Sequence, residues 1–326
     1  MNMATSLSEL VLEVTNACPH RCVHCSTSGG TALPNELSQD ERIRVVREAC
    51  ALGIRDLRLL GGDPLVRMQD TLDLLSEANH FGVPRAHICT SATSSQLQWI
   101  SLLKGLTPIH VSVDVSIYAA NPSIHDEITT SAGSFELALS SSRKAVEMEL
   151  DLNWNFVWMR PNFFELGPVV RLASELGVKK VRVLRLMLNG RASENRDLLE
   201  LPQDLVQQCD DFFLTAQSNF KNVELTCTKP LNFQLTKARN RAFEPCGACR
   251  NQIVVQADGV VIPCIGMKGI PEMELGNVRV DGLREIWSRS DASPISTLSQ
   301  KLDECTAALY QNDRHLVQLE GNRGRI

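Results

Sequence analysis

The feature that most limits what this chain can fold into is an alternation of short apolar runs with amphipathic ones through its first two-thirds. Strands are predicted over 10–14, 56–60, 86–90, 109–114, 152–159 and 181–187, and a helical pattern follows each. After the first strand, Ser38-Gln39-Asp40-Glu41 reads as a capping box, the serine hydroxyl and the glutamate carboxylate each satisfying a free backbone N–H. Ile43, Val46, Ala49 and Cys50 then recur at helical spacing, and Gly53 stops the helix. Further helices are predicted at 71–79, 95–104, 135–148, 164–176 and 203–216. Repeated strand–helix units require parallel strands joined by right-handed crossovers. Six units fall short of the eight that close a barrel. The expected fold is therefore α/β, a partial (β/α)6 barrel with its chemistry at the C-terminal strand ends. Beyond residue 220 the rhythm breaks. Short strands at 223–226, 253–256 and 260–262 surround the turn signal Asp258-Gly259, and a short helix follows at 283–289. Two domains are expected, 1–220 and 221–326, the second a small α+β unit.

Composition narrows the function classes. The formal charge is −5 and no Lys/Arg block stands out, which argues against a nucleic-acid groove. There is no apolar run of membrane-spanning length and no secretory signal pattern, so a cytoplasmic protein is expected. Eleven cysteines are many for such a chain. A disulfide framework suits small secreted domains, whereas clustered cysteines in a reducing compartment suggest metal. Cys50, Cys89, Cys209 and Cys227 are scattered, as buried apolar-like cysteines often are. Six others fall into two groups, and Cys305 follows the second.

The first group, Cys18-Pro-His-Arg-Cys22-Val-His-Cys25, sits just after the first predicted strand. Cube-shaped iron–sulfur clusters usually take four cysteines, so a compact loop of three leaves one iron open to an outside ligand. Zinc is the alternative, with His20 or His24 as a fourth ligand. The run Thr15-Asn16-Ala17-Cys18-x3-Cys22-x2-Cys25 resembles the signature of the radical S-adenosylmethionine (SAM) superfamily. That resemblance implies a 4Fe–4S cluster on Cys18, Cys22 and Cys25 whose open iron is chelated by SAM. Reductive cleavage of SAM then yields methionine and a 5′-deoxyadenosyl radical. Further matches follow in order. Gly61-Gly62-Asp63-Pro64 resembles the family's Gly-Gly-Glu-Pro, which holds the SAM ammonium; the aspartate is one methylene shorter than the usual glutamate. Ser112 resembles a fourth-strand contact to the SAM ribose, and His24 stands where an aromatic packs by the adenine. Arg185, before Asn189-Gly190-Arg191-Ala192, is a candidate partner for a carboxylate of SAM or substrate.

Cys246-Gly-Ala-Cys249 and Cys264, with Gly259 between them, resemble the SPASM/Twitch extensions of the same superfamily. A hairpin would bring the thiolates together; a zinc ribbon would want a second C-x2-C, which is absent. Only Cys305 lies beyond Cys264, so the resemblance implies a Twitch-type domain with one auxiliary 4Fe–4S cluster. Its expected ligands are Cys246, Cys249, Cys264 and Cys305; without Cys305 one iron would be open.

The resemblance implies hydrogen abstraction from a substrate C–H bond, with an external one-electron reductant such as flavodoxin or ferredoxin. Twitch relatives include an aminoglycoside dehydrogenase and an aminoglycoside epimerase. No peptide-binding module precedes Cys18, and the expected reaction is oxidation or epimerisation of a small sugar- or nucleoside-like natural-product intermediate. An epimerase needs a hydrogen donor outside the clusters, for which Cys227, Cys89 and a spare Cys246 or Cys305 are candidates. The alternatives are a peptide or protein maturase making a crosslink, thioether or D-residue, and a non-catalytic iron–sulfur carrier or sensor.

Overall fold

The computed structural model describes residues 6–93, 97–227 and 247–290. All six expected strands form: β1 (Glu9–Thr15), β2 (Asp56–Gly61), β3 (Arg85–Thr90), β4 (His110–Ser116), β5 (Asp151–Val157) and β6 (Lys180–Leu184). They lie side by side in chain order and are parallel throughout. Between them run α1 (Gln39–Ala51), α2 (Met68–His80), α3 (Gln98–Lys104), α4 (Pro122–Thr129), α5 (Ser134–Glu147) and α6 (Leu166–Leu176).

The local chemistry follows the sequence. Ser38 and Glu41 form the expected reciprocal cap at the head of α1. Gly177 closes α6 in a left-handed conformation, at φ 87°. The helix α4 is additional to the expected set; Asn121 caps it and Pro122 supplies its first residue. One face of each strand packs on the helices. On β5, Trp154 and Phe156 are fully buried, and the Trp154 indole N–H donates to Ser142 of α5 at 3.1 Å. Fully burying side chains of this size stabilises the fold by roughly 1.5–3 kcal/mol each.

The sheet is larger than expected. β7 (Glu224–Cys227) pairs parallel with β6, and β8 (Gln252–Val255) pairs parallel with β1. The change of rhythm after residue 220 suggests a separate second domain for both, yet they extend the same sheet. The hairpin is completed by β9 (Val260–Ile262) and β10 (Gly276–Asn277), both antiparallel, and the helix Leu283–Ser290 packs beside α1. The order is β10-β9-β8-β1-β2-β3-β4-β5-β6-β7, with β7 and β10 as its edges, so the curved sheet stays open. Among the described residues no helix is long and apolar enough to cross a membrane.

Candidate functional site

β1 runs directly into the first cysteine group. One carboxylate holds the root of that loop: Glu36 accepts from Asn16 N at 2.7 Å, Leu33 N at 3.0 Å and the Thr15 hydroxyl at 3.0 Å. Cys18 N donates to Gly30 O and Gly30 N to Asn16 O, both at 2.9 Å, so the loop closes on itself. The segment after β6 clamps its far side. Arg191 donates through Nε to Cys22 O at 3.0 Å and through Nη2 to Gly29 O at 2.8 Å. Gly190, at φ 51°, seats this clamp; a Cβ there would lie 2.5 Å from Ser28 Oγ and 2.9 Å from Cys25 O. Asn189 Nδ2 donates to Lys268 O at 2.7 Å, and Lys268 Nζ pairs at 2.6 Å with the buried Glu13 of β1. One line of contacts thus joins the cysteine loop, the barrel and the hairpin segment after Cys264.

Cys18, Cys22 and Cys25 line a cavity of about 1480 Å³ at the C-terminal ends of the strands and reaching down into the barrel. Burial pushes the Cys18 thiol up to about 11 against a backbone hydrogen bond from His20, with Asp63 and Cys25 adding to the rise. Cys22 is raised further, by burial and then by Cys25 and Cys18. Thiols so placed keep their protons until a metal replaces them. Among the described residues no three His, Cys, Asp or Glu side chains converge on one ion position, as a single zinc ion would require. A cubane instead gives each cysteine its own iron. Nδ1 of His20 and of His24 are buried beside the cavity without a partner, which fits a site completed by a bound group.

Burial lowers the His24 imidazole to about 3, so it is neutral, and its ring meets Tyr118 edge-on at 4.4 Å. His24 and Arg185 are both buried and both line the cavity. Gly61 and Gly62 line it too, but the close approach they permit is to the chain itself. A Cβ on Gly61 would strike Thr15 O, and one on Gly62 would strike Ala17 O. Asp63 and Pro64 do not line the cavity. The Asp63 carboxylate accepts from Leu65 N at 3.0 Å, Thr90 Oγ1 at 2.8 Å and Ser91 N at 2.9 Å, tying the loops after β2 and β3 together. The carboxylate is thus engaged within the wall, beside the cavity. Ser112 is likewise outside the cavity lining. It lies low on β4, bonded to His87 Nδ1 at 2.6 Å, whereas Ser116 on the same face lines the cavity. Four residues of strand separate them, roughly 13 Å.

Cys89 and Cys227 line the cavity; burial pushes Cys89 up to about 12. Cys264 also lines it, and packs with the buried Cys249, Ala248, Met267 and Met273. Cys246 and Cys305 lie outside the described residues.

Residues 12–165 match the family model of the radical SAM superfamily, and residues 234–307 match that of the iron-sulfur cluster-binding domain SPASM. The chain thus carries a radical SAM domain followed by a SPASM domain. Radical SAM proteins carry a 4Fe–4S cluster and SAM, and the SPASM domain adds auxiliary iron–sulfur chemistry. Curated relatives include the PqqA peptide cyclase of Rhizobium meliloti, 26% identical over 87% of this chain and 74% of its own length. The PqqA peptide cyclase of Methylorubrum extorquens is 27% identical, over 87% and 72%. Among solved structures, Streptococcus suis SuiB bound to S-adenosylmethionine superposes with a TM-score of 0.71 at 16% identity, and so shares the fold. The superposition covers 86% of this chain, which spans 66% of the SuiB chain.

Glu36 carries no signal in the sequence, having no local pattern that announces its partners on the cysteine loop. Arg191 stands in the run Asn189-Gly190-Arg191-Ala192 that resembles the family's exit from the sixth strand, but the run does not announce the carbonyls it holds. Asn155, on β5, lines the cavity and is legible in part: Asn153-Trp154-Asn155-Phe156 alternates polar with aromatic, a strand with one polar, inward face.

Proposed function

We propose that this protein is a radical SAM peptide maturase, joining or altering side chains of a peptide substrate after hydrogen abstraction. The observation that carries the reading is the similarity to PqqA peptide cyclases over 87% of the chain. SuiB, which shares the fold, has been seen with its precursor peptide SuiA. The open sheet and the cavity of about 1480 Å³, above the usual range for small-molecule pockets, leave room for a peptide segment beside SAM. These relatives favour a peptide over the sugar- or nucleoside-like substrate expected from the sequence.

In this reading Cys18, Cys22 and Cys25 hold the SAM-binding cluster, and Cys249 and Cys264, with Cys246 and Cys305, serve the auxiliary one. Bound there, the reduced cluster supplies the electron that cleaves SAM to methionine and a 5′-deoxyadenosyl radical. The protein's part is placement. Glu36 and Arg191 fix the cysteine loop from its two sides, with Cys18, Cys22 and Cys25 lining the cavity where they would hold the cluster. Neutral His24 and Tyr118 offer ring surfaces for an adenine, and Arg185 a cation for a carboxylate. The buried walls keep water from a carbon radical.

The test is to search beside the gene for a short open reading frame and to reduce the reconstituted enzyme with SAM and the peptide such a frame encodes. A new bond within the peptide, with loss of two hydrogens by mass spectrometry, is expected alongside 5′-deoxyadenosine. Deoxyadenosine with an unaltered peptide, but with turnover of an aminoglycoside or nucleoside, would return the small-molecule reading. Failure to cleave SAM at all would favour an electron carrier.

A further inference from the structure

The cysteines of the first group differ in what their sulfur atoms touch. His20 N donates to Cys18 Sγ at 3.5 Å, and Gly29 N donates to Cys25 Sγ at 3.3 Å. Both donors are backbone amides and come with the path of the loop. Cys25 has a second neighbour of another kind, the Thr27 hydroxyl, 3.4 Å from its Sγ. The same hydroxyl lies 3.4 Å from Gly61 O on the loop after β2. It has one proton to give, and the two acceptors are not equal. An O–H···O bond is about 2.5–3.0 Å long, so the contact to Gly61 O is stretched. Sulfur is the larger atom, and the same distance to it is an ordinary hydrogen bond. A Cys25 thiol can itself donate to Thr27 Oγ1, whereas a thiolate bound to iron can only accept. Its negative charge then draws the hydroxyl proton away from the carbonyl. Cys25, Thr27 and Gly61 all line the cavity, and residue 27 lies within the stretch that Arg191 spans from Cys22 O to Gly29 O.

We propose that Thr27 tunes the reduction potential at this site, its hydroxyl donating to Cys25 Sγ when that sulfur holds iron and so raising the potential of the SAM-cleaving cluster. The step affected is the uptake of one electron from a flavodoxin- or ferredoxin-type reductant, in which no bond is made or broken. The electron makes the cluster and its thiolates more negative. A donor aimed at a thiolate therefore stabilises the reduced form more than the oxidised one. The contact is partly buried, so water screens it less than it would a surface pair. The proposal rests on the assignment of Cys18, Cys22 and Cys25 to the SAM-binding cluster, and not on the nature of the second substrate.

The measurement is a potentiometric titration. Wild type, Thr27→Val, Thr27→Ala and Thr27→Ser are reconstituted anaerobically as full chains, and their reduced signals are followed by electron paramagnetic resonance against solution potential. The cluster at the first cysteine group is the one whose signal changes when SAM is added. Valine keeps the shape of threonine and lacks the hydroxyl. In Thr27→Val the reduced-to-oxidised ratio of the SAM-responsive cluster should fall about tenfold at a given potential, a midpoint lower by about 59 mV for one electron. The auxiliary cluster should keep its midpoint. Thr27→Ala carries the same expectation with less bulk, should valine hinder iron loading. Thr27→Ser retains the donor and should stay with wild type. A wild-type midpoint in Thr27→Val or Thr27→Ala would overturn the proposal. So would an equal shift of both clusters, or a midpoint in Thr27→Ser as low as in Thr27→Val, which would assign the effect to the lost methyl group. A chain with no SAM-responsive signal would remove the cluster assignment and the proposal together. The expected shifts in an enzyme that alters no peptide would remove the maturase reading and leave the role of Thr27 standing.

Discussion

Arg191 reaches two carbonyls of the cysteine loop with one planar guanidinium, a geometry that lysine cannot copy. Arg191→Ala should therefore quicken amide hydrogen exchange over residues 22–30 and lower the iron retained after reconstitution, and Arg191→Lys should restore little of either. Exchange and iron content equal to wild type in both variants would show the clamp to be idle. His125, on α4, provides a pH test. Burial lowers its imidazole to about 4, against the pull of the neighbouring Asp126; the ring faces Tyr118 and Phe135, and Nδ1 accepts from Tyr118 N. The unfolded chain binds that proton near 6.5, so between about 6.5 and 4 it holds more protons than the folded one. Stability from this residue is full above that window and falls as pH drops through it. His125→Gln should flatten the pH dependence of the urea midpoint between pH 6.5 and 4; an unchanged slope would assign the loss to other groups.

At the scale of elements, the loop after β2 is fitted to the loop after β1 with no space to spare. Gly62→Ala would push a methyl group into Ala17 O, and Asp63 pins the same loop to Thr90 and Ser91. The expected result is a fold with wild-type far-ultraviolet circular dichroism but reduced iron loading. Full loading would mean that the loop yields cheaply. The α1 cap is an independent element, and Ser38→Ala should cost about 1 kcal/mol in denaturant unfolding without touching iron content. Caps, glycine stops and the strand–helix rhythm are local, which is why residues 38–53 announce their helix in sequence alone. Asp63 and Ser112 do not announce their roles in this way. A motif states which residues are near the site, but side-chain length and strand height decide which of them face it.

At the scale of the whole molecule, the Glu13–Lys268 pair joins β1 to the hairpin segment that follows Cys264. Glu13 is fully buried, and its Oε2 also accepts from Ala257 N at 3.2 Å. Breaking one side of such a pair strands the other charge, so Glu13→Gln should cost about 3 kcal/mol, read as a shifted denaturation midpoint. A shift below experimental error would mean that Lys268 reaches water unaided. The two cysteine groups should each load a cluster, about eight irons in all. Replacing Cys18, Cys22 and Cys25 together by alanine should remove about half of that iron and all SAM cleavage.

Sequence alone determined the parallel strand–helix succession and the two cysteine groups, whose resemblance to family motifs implied radical SAM chemistry. These are properties of spacing along the chain, and hydrophobic period and metal-ligand spacing are both local. Only the tertiary structure decided that β7 and β8 join the first six strands in one sheet. Short strands carry no local mark of their partner, and β1 meets β8 across more than two hundred residues. The same holds for the cavity-lining row of Ser116, Asn155, Arg182 and Thr226, which exists because register brings one residue from each of four strands to the same height. Register is settled by the packing of the opposite faces, Trp154 and Phe156 against the helices among them, and that packing is known only once the chain has closed on itself.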